Sequence, residues 1–217
     1  MVNIDNNNNN YKTDFETVSK NWKSSLKKGA ILSILFAGVG GQGIILATTI
    51  LAQAAIKSGF DVKVSEVHGM AQRGGSVEGS VRIGKKVFSP IVEKADFMVA
   101  LEKLEGLRYI NRLNSQGVAI INDYEIYPLT INGKNVHYPD NIESILKKYI
   151  NNFILIEAVK IAKELNELRT ANTILLGVLS KFIPFTKEHW EHAIIESVPK
   201  KAIDLNIEAF NKGRNIF

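Results

Sequence analysis

The sequence predicts an α/β fold, a mostly parallel sheet covered by helices on both faces, and three observations point to it. Short, almost wholly apolar runs such as ILSILFA (31–37) have the length and composition of strands buried on both sides. They alternate with segments whose large residues recur at helical spacing, the order that joins parallel strands through crossover helices. The final third of the 217 residues carries the helical period almost alone, so a helical C-terminal region is added to the sheet.

In chain order, residues 1–28 begin with an asparagine run that offers nothing apolar to offset the entropy of ordering. This stretch is expected to be a disordered or loosely docked tail, with Trp22 and Leu26 available to seat a short helix on the single domain that fills 29–217. ILSILFA is the first strand. After a glycine turn, IILATTILAQAAIKSG forms a helix that Gly59 stops. DVKVSEV alternates as the second strand, and SVEGSVRIG with KVFSP then predicts an inserted β-hairpin around Gly84, with Lys85 and Lys86 at its tip. ADFMVAL (95–101) is another buried strand, EKLEGLRYINRLN an amphipathic helix, and GVAIIND (117–123) a further strand. INGKN has turn chemistry, so residues 127–138 are expected to form a hairpin or extended connection. Pro139 and Asp140 open a helix to Tyr149, and NNFILIEA holds a short strand. AVKIAKELNEL, ANTILLGVLSKFI, TKEHWEHAIIESV and KAIDLNIEAFNKG complete the chain as helices.

Composition narrows the function. A hydrophobic content of 45% supplies a sizeable core. The net charge of +5 comes from lysines and arginines interleaved with acids, which describes solvated helix faces and no nucleic-acid partner. With no cysteine, the chain itself can form no disulfide, thiolate metal site, cysteine nucleophile or cysteine-ligated iron-sulfur cluster, so any such cluster must belong to a partner. The N-terminus lacks the basic start, apolar middle and cleavage site of a secretory signal, which predicts a cytoplasmic protein. Residues 29–56 contain no charge and are long enough to span a bilayer, but GVGGQG (38–43) interrupts them with four glycines and a glutamine. No membrane segment is therefore expected.

The spacing of Gly38, Gly40 and Gly43 is G-x-G-x-x-G between a strand and a helix, a Rossmann-like arrangement in which close backbone approach and free helix amides suit an anion. Glu66 lies about 20 residues downstream, where a dinucleotide site places its ribose-binding acid. The additional Gly41 and Gln42, and a second strand that leads into a hairpin, weaken that reading. A nucleotide or phosphate site, a ligand-free tight turn and an interface loop all remain open for this motif, and an NAD-dependent dehydrogenase is the alternative function it supports.

HGMAQRGGSV (68–77) follows the second strand directly. His68 can exchange protons near neutrality, Gln72 both donates and accepts, Arg73 offers a planar fork for carboxylate or phosphate, and Gly74 and Gly75 permit close backbone approach. Ligands of open α/β sheets gather beyond the carboxyl ends of the strands, so neighbouring first and second strands would place both loops on one rim. Taken residue by residue, a capping histidine and a surface ion pair are the simpler account, for His68 above all, but the clustering of these residues is harder to assign to chance.

Together, GVGGQGIILA, VSEVHGMAQRGGSV, VRIG with the nearby FSP, ADFMVALEKLEGLR and ANTILLGVLSKF resemble the gamma-type subunits of the 2-oxoacid:ferredoxin oxidoreductases, most closely the indolepyruvate branch. The likeness runs from Ile31 to the end. It implies an accessory subunit, inactive alone, of an enzyme that oxidatively decarboxylates an arylpyruvate, with coenzyme A accepting the acyl group and ferredoxin the electrons. It also implies a large alpha subunit as partner, carrying thiamine diphosphate and the iron-sulfur clusters, and this chain has no GDG-type thiamine-diphosphate motif. On this resemblance Gly38, Gly40, Gly41, Gln42, Gly43, His68, Gln72, Arg73, Gly74, Gly75 and Ser76 form an active-site or cofactor-facing rim at the subunit interface.

Overall fold

The computed structural model describes residues 10–68, 74–127, 138–150 and 152–217. Its centre is one six-stranded sheet in the order β2-β3-β1-β4-β5-β6. The strands are β1 (Leu32–Val39), β2 (Asp61–His68), β3 (Ser76–Gly84), β4 (Ala95–Ala100), β5 (Leu113–Asn122) and β6 (Phe153–Ile156). The pairs β1/β4, β4/β5 and β5/β6 are parallel, while β3 runs antiparallel to both β1 and β2. Five strands thus share a direction and β3 alone is reversed, which agrees with the predicted mostly parallel sheet.

Side-chain alternation explains why the sheet is covered twice. Ile34 and Phe36 of β1, Phe97 and Val99 of β4 and Val118 and Ile120 of β5 enter one core, whereas Leu35, Met98, Ala100, Ala119 and Ile121 enter the other. Every residue of β1 is buried, as a strand apolar on both faces requires. The larger core is roofed by α2 (Ile44–Lys57), α6 (Ala171–Leu179), α7 (Lys187–Ser197) and α8 (Ile203–Arg214), and the smaller one by α4 (Ile142–Tyr149). Helices α6 and α8 cross in backbone contact: a Cβ on Gly177 would strike the Phe210 carbonyl, and one on Gly213 the Ile174 carbonyl.

Several elements differ from expectation. The predicted hairpin around Gly84 does not form; β3 pairs instead with β2, and residues 85–94 contain no strand. Their backbone groups bond to side chains: Asp61 accepts from Val87 N (2.8 Å), Arg82 donates to the Ser89 carbonyl (3.1 Å) and Ser80 to that of Pro90 (3.0 Å). The helix expected over EKLEGLRYINRLN shortens to α3 (Lys103–Arg108) and a 3-10 turn, because Leu113 already begins β5. Residues 10–27 form helix α1 (Asn10–Lys27), longer than the short helix that Trp22 and Leu26 are expected to seat. Leu26 is fully buried, and the Trp22 ring lies 6.3 Å from that of Phe97. The turn predicted at INGKN lies outside the described residues. Among those described, no helix is long and apolar enough to cross a membrane.

Candidate functional site

The reversed strand brings the two motifs together. The first and second strands are not neighbours, as the sequence reading assumed, because β3 lies between them. Yet Val77 of β3 faces His68 on one side and Gly38 on the other, so both motifs meet at one end of the sheet. Gly40 N donates to the Gly75 carbonyl at 2.8 Å, and Ser76 opens β3 opposite Val39. The rim therefore assembles Gly38, Gly40, Gly41, Gln42, Gly43, Gly74, Gly75 and Ser76, with His68 as the last residue of β2. Gln72 and Arg73 lie outside the described residues.

Within the glycine loop, Gly41 and Gly43 have φ of +102° and +82°, a region that side chains rarely adopt. Gln42 turns back under the loop. Its Oε1 accepts from Val39 N at 2.7 Å and its Nε2 donates to the Leu101 carbonyl at 2.8 Å. The glutamine thus ties the ends of β1 and β4 together, and its amide is already engaged. Asn172, buried in the first turn of α6, donates to the Gly43 carbonyl at 3.1 Å from the other side. Backbone and helix N-terminus, more than side chains, are what this loop presents outward. A cleft of about 320 Å³ opens beside it, lined by Gly41, Leu101, Asn122, Tyr124, Arg169 and Asn172 among others.

The dinucleotide geometry is not built. Glu66 sits on β2, the outermost strand, with β3 between it and β1, and it accepts from Thr48 Oγ1 of α2 at 2.9 Å. The ribose-binding acid of a dinucleotide fold stands on the strand next to the glycine loop, the position that β3 takes here.

Beneath the rim, the first turn of α3 supplies groups the sequence reading missed. Glu102 caps the helix, accepting from Glu105 N at 2.8 Å, and also accepts from the Tyr138 hydroxyl at 2.5 Å and Ile126 N at 3.3 Å. Glu105 accepts from the Ser76 hydroxyl, which lies 3.2 Å from the Tyr109 phenol. Burial pushes the Glu105 carboxyl above its ordinary range, against the opposing pull of Ser76 and Arg108. Asn122, at the end of β5, donates to the Leu101 carbonyl and accepts from Ala158 N of α5 (Ala158–Glu164), both at 3.0 Å. Asn122 had a readable signal, a polar residue ending a buried parallel strand on the ligand side. Glu105 and Asn172 had none, since their importance rests on contacts far away in the chain.

No group of three or more histidines or carboxylates among the described residues is placed to hold a metal ion, and the chain has no cysteine. What the arrangement offers is a preorganised backbone surface backed by buried, hydrogen-bonded side chains.

Comparison with known proteins gives the family of the chain. The family model described as pyruvate ferredoxin/flavodoxin oxidoreductase matches residues 33–216. The indolepyruvate oxidoreductase subunit IorB of Archaeoglobus fulgidus is 40% identical over 190 residues, which cover 85% of this chain and 94% of that one. The keto/oxoacid ferredoxin oxidoreductase gamma subunit from Geobacter sulfurreducens superposes with a TM-score of 0.63 at 26% identity, covering 85% of this chain and 94% of that chain. The 2-oxoglutarate:ferredoxin oxidoreductase from Magnetococcus marinus, solved with 2-oxoglutarate, coenzyme A and succinyl-CoA, shares the fold with a TM-score of 0.66 at 20% identity. The match covers 85% of this chain but 30% of that longer one. The chain belongs to the pyruvate ferredoxin/flavodoxin oxidoreductase family, as an accessory small subunit of a heteromeric 2-oxoacid oxidoreductase.

Proposed function

We propose that this chain completes the active site of an indolepyruvate-type arylpyruvate:ferredoxin oxidoreductase whose large alpha subunit carries thiamine diphosphate and the iron-sulfur clusters. The single observation that carries the site is the Gly40–Gly75 backbone hydrogen bond, which splices two motifs 30 residues apart into one rim. The choice of substrate is supported by the 40% identity with the Archaeoglobus subunit. The residues here do not fit either cofactor, since thiolate ligands are missing and no diphosphate-metal motif is present. Their work is to bind and orient.

In the reaction the bond between the carboxylate carbon and the keto carbon breaks, carbon dioxide leaves, and the acyl carbon forms a thioester with coenzyme A. Two electrons would be taken up by ferredoxin, for which iron-sulfur clusters of the partner would supply the path, and the thiol proton is released. Thiamine diphosphate supplies the electron sink for that bond cleavage. The rim would close over the reacting centre, with Arg73 pairing a carboxylate or phosphate and the glycine-loop amides facing an anionic oxygen. There the rim's part would be to exclude water from the reacting carbon.

The test is reconstitution with the large subunit, following indolepyruvate- and coenzyme A-dependent reduction of ferredoxin. Turnover should require both chains, and Arg73→Ala should weaken assembly or turnover at least tenfold while leaving the melting of the isolated chain unchanged. Full turnover by the large subunit alone would overturn the subunit reading. A preference for pyruvate over indolepyruvate would overturn the substrate, and wild-type behaviour of Arg73→Ala would remove that residue from the rim.

A further inference from the structure

Two buried carboxylates stand side by side at the start of α3, with Glu102 1% and Glu105 5% exposed. Each grips the outgoing end of a connection at the rim. Glu105 holds Ser76, where the chain rejoins the sheet after residues 69–75, and Glu102 holds Tyr138, where it emerges from 128–137. The two grips are themselves joined, because Glu102 accepts the Glu105 amide at 2.8 Å. Burying a carboxylate is costly unless hydrogen bonds compensate, and an apolar side chain at 105 would fill the same space beside the smaller core without that cost. Strand pairing does not call for it either, since β3 is registered against β1 and β2 by eight residue pairs on each side.

We propose that Glu105 is a positioning residue for the rim: through the Ser76 hydroxyl it fixes the start of β3 and the Gly75 carbonyl beside it. Gly75, one residue before Ser76, accepts from Gly40, so the same grip also sets the glycine loop. Glu105 touches neither substrate nor cofactor. Its effect reaches the reaction only through Ser76 and the two loops. This inference rests on the reading that the rim completes the active site of the assembled enzyme.

The experiment uses the complex reconstituted with the large subunit, with rates normalised to assembled complex. Glu105→Ala and Ser76→Ala should each lower kcat/KM for the 2-oxoacid roughly tenfold, because misplaced groups at a preorganised site lose rate steeply with small displacements. KM for ferredoxin should stay unchanged. Glu105→Gln retains an acceptor for Ser76 and should recover to within about threefold of wild type. Adding Ser76→Ala to Glu105→Ala should cost less than about twofold further, since both act through one hydrogen bond. A merely structural role would reduce the amount assembled and leave the kinetics of what assembles intact. That outcome, failure of Glu105→Gln to recover, or multiplicative losses in the double variant would overturn the proposal. Chain-independent turnover by the large subunit would instead overturn the active-site reading, and this inference with it.

Discussion

Replacing Tyr138 by phenylalanine isolates one buried hydrogen-bonded group whose loss can be given a size. The Tyr138 phenol donates to Glu102 at 2.5 Å and accepts from Leu104 N at 2.9 Å, and both side chains are nearly inaccessible. Phenylalanine keeps the ring, and with it the contact to Tyr127 at 5.6 Å between centroids, so packing is preserved. What disappears is a charge-assisted hydrogen bond, together with the partner of the Leu104 amide. Such a loss costs about 3 kcal/mol, which for a chain of this length lowers Tm by roughly 6–12 °C. Burial and the Glu102 carboxylate push the phenol's pKa far above its ordinary value, so it remains a donor throughout the usable pH range. In a Glu102→Gln background the same substitution removes a neutral hydrogen bond along with the partner of the Leu104 amide, and should cost only about 2 kcal/mol. Scanning calorimetry on the four proteins of this cycle reads both numbers. A fall in Tm below about 2 °C for Tyr138→Phe, or equal costs in the two backgrounds, would refute the reasoning.

Two further outcomes are accessible on the isolated chain. Leu26→Ala should destabilise it by about 2–5 kcal/mol in urea unfolding, because Leu26 is fully buried, and a loss under about 1 kcal/mol would mean that α1 contributes little to the fold. Hydrogen bonds from the Arg169 guanidinium and backbone hold Glu167 down to about 2, from an ordinary value of 4.5. The stabilising effect of that ion pair is therefore fully present above pH 4.5 and lost as pH falls through about 2. Carboxyl NMR should show Glu167 titrating near 2, and Arg169→Ala should return it toward 4.5; a wild-type midpoint above 4 would contradict the assignment.

Much of the fold could be read in advance because its signals are local. ILSILFA and GVAIIND are apolar runs long enough to call for cover on both faces, and the spacing of apolar residues in the C-terminal third fits its helices. The position of β3 was not readable. KVFSP has strand-like composition, but its backbone groups are taken by Asp61, Ser80 and Arg82, residues that the sequence separates by up to 26 positions from those they hold. The rim was legible as two motifs, and their meeting depended on a strand order that no local pattern encodes. Gln42 illustrates the limit: a polar residue in a glycine loop suggests ligand contact, whereas here its amide spans the ends of β1 and β4. Glu105 stayed hidden because its partner, Ser76, lies 29 positions earlier.

The turn between β2 and β3 is longer than geometry demands. These strands are adjacent and antiparallel, and two residues are enough to close such a hairpin, but residues 69–75 join them here. The surplus adds little to the entropy of closure, which grows only logarithmically with length. Register is anchored by eight pairs within the strands, so the connection can change in sequence or length without shifting a residue of the sheet. That makes it an exchangeable module: grafting the 69–73 stretch of a pyruvate- or 2-oxoglutarate-type relative onto this scaffold would separate what the loop specifies from what the scaffold supports.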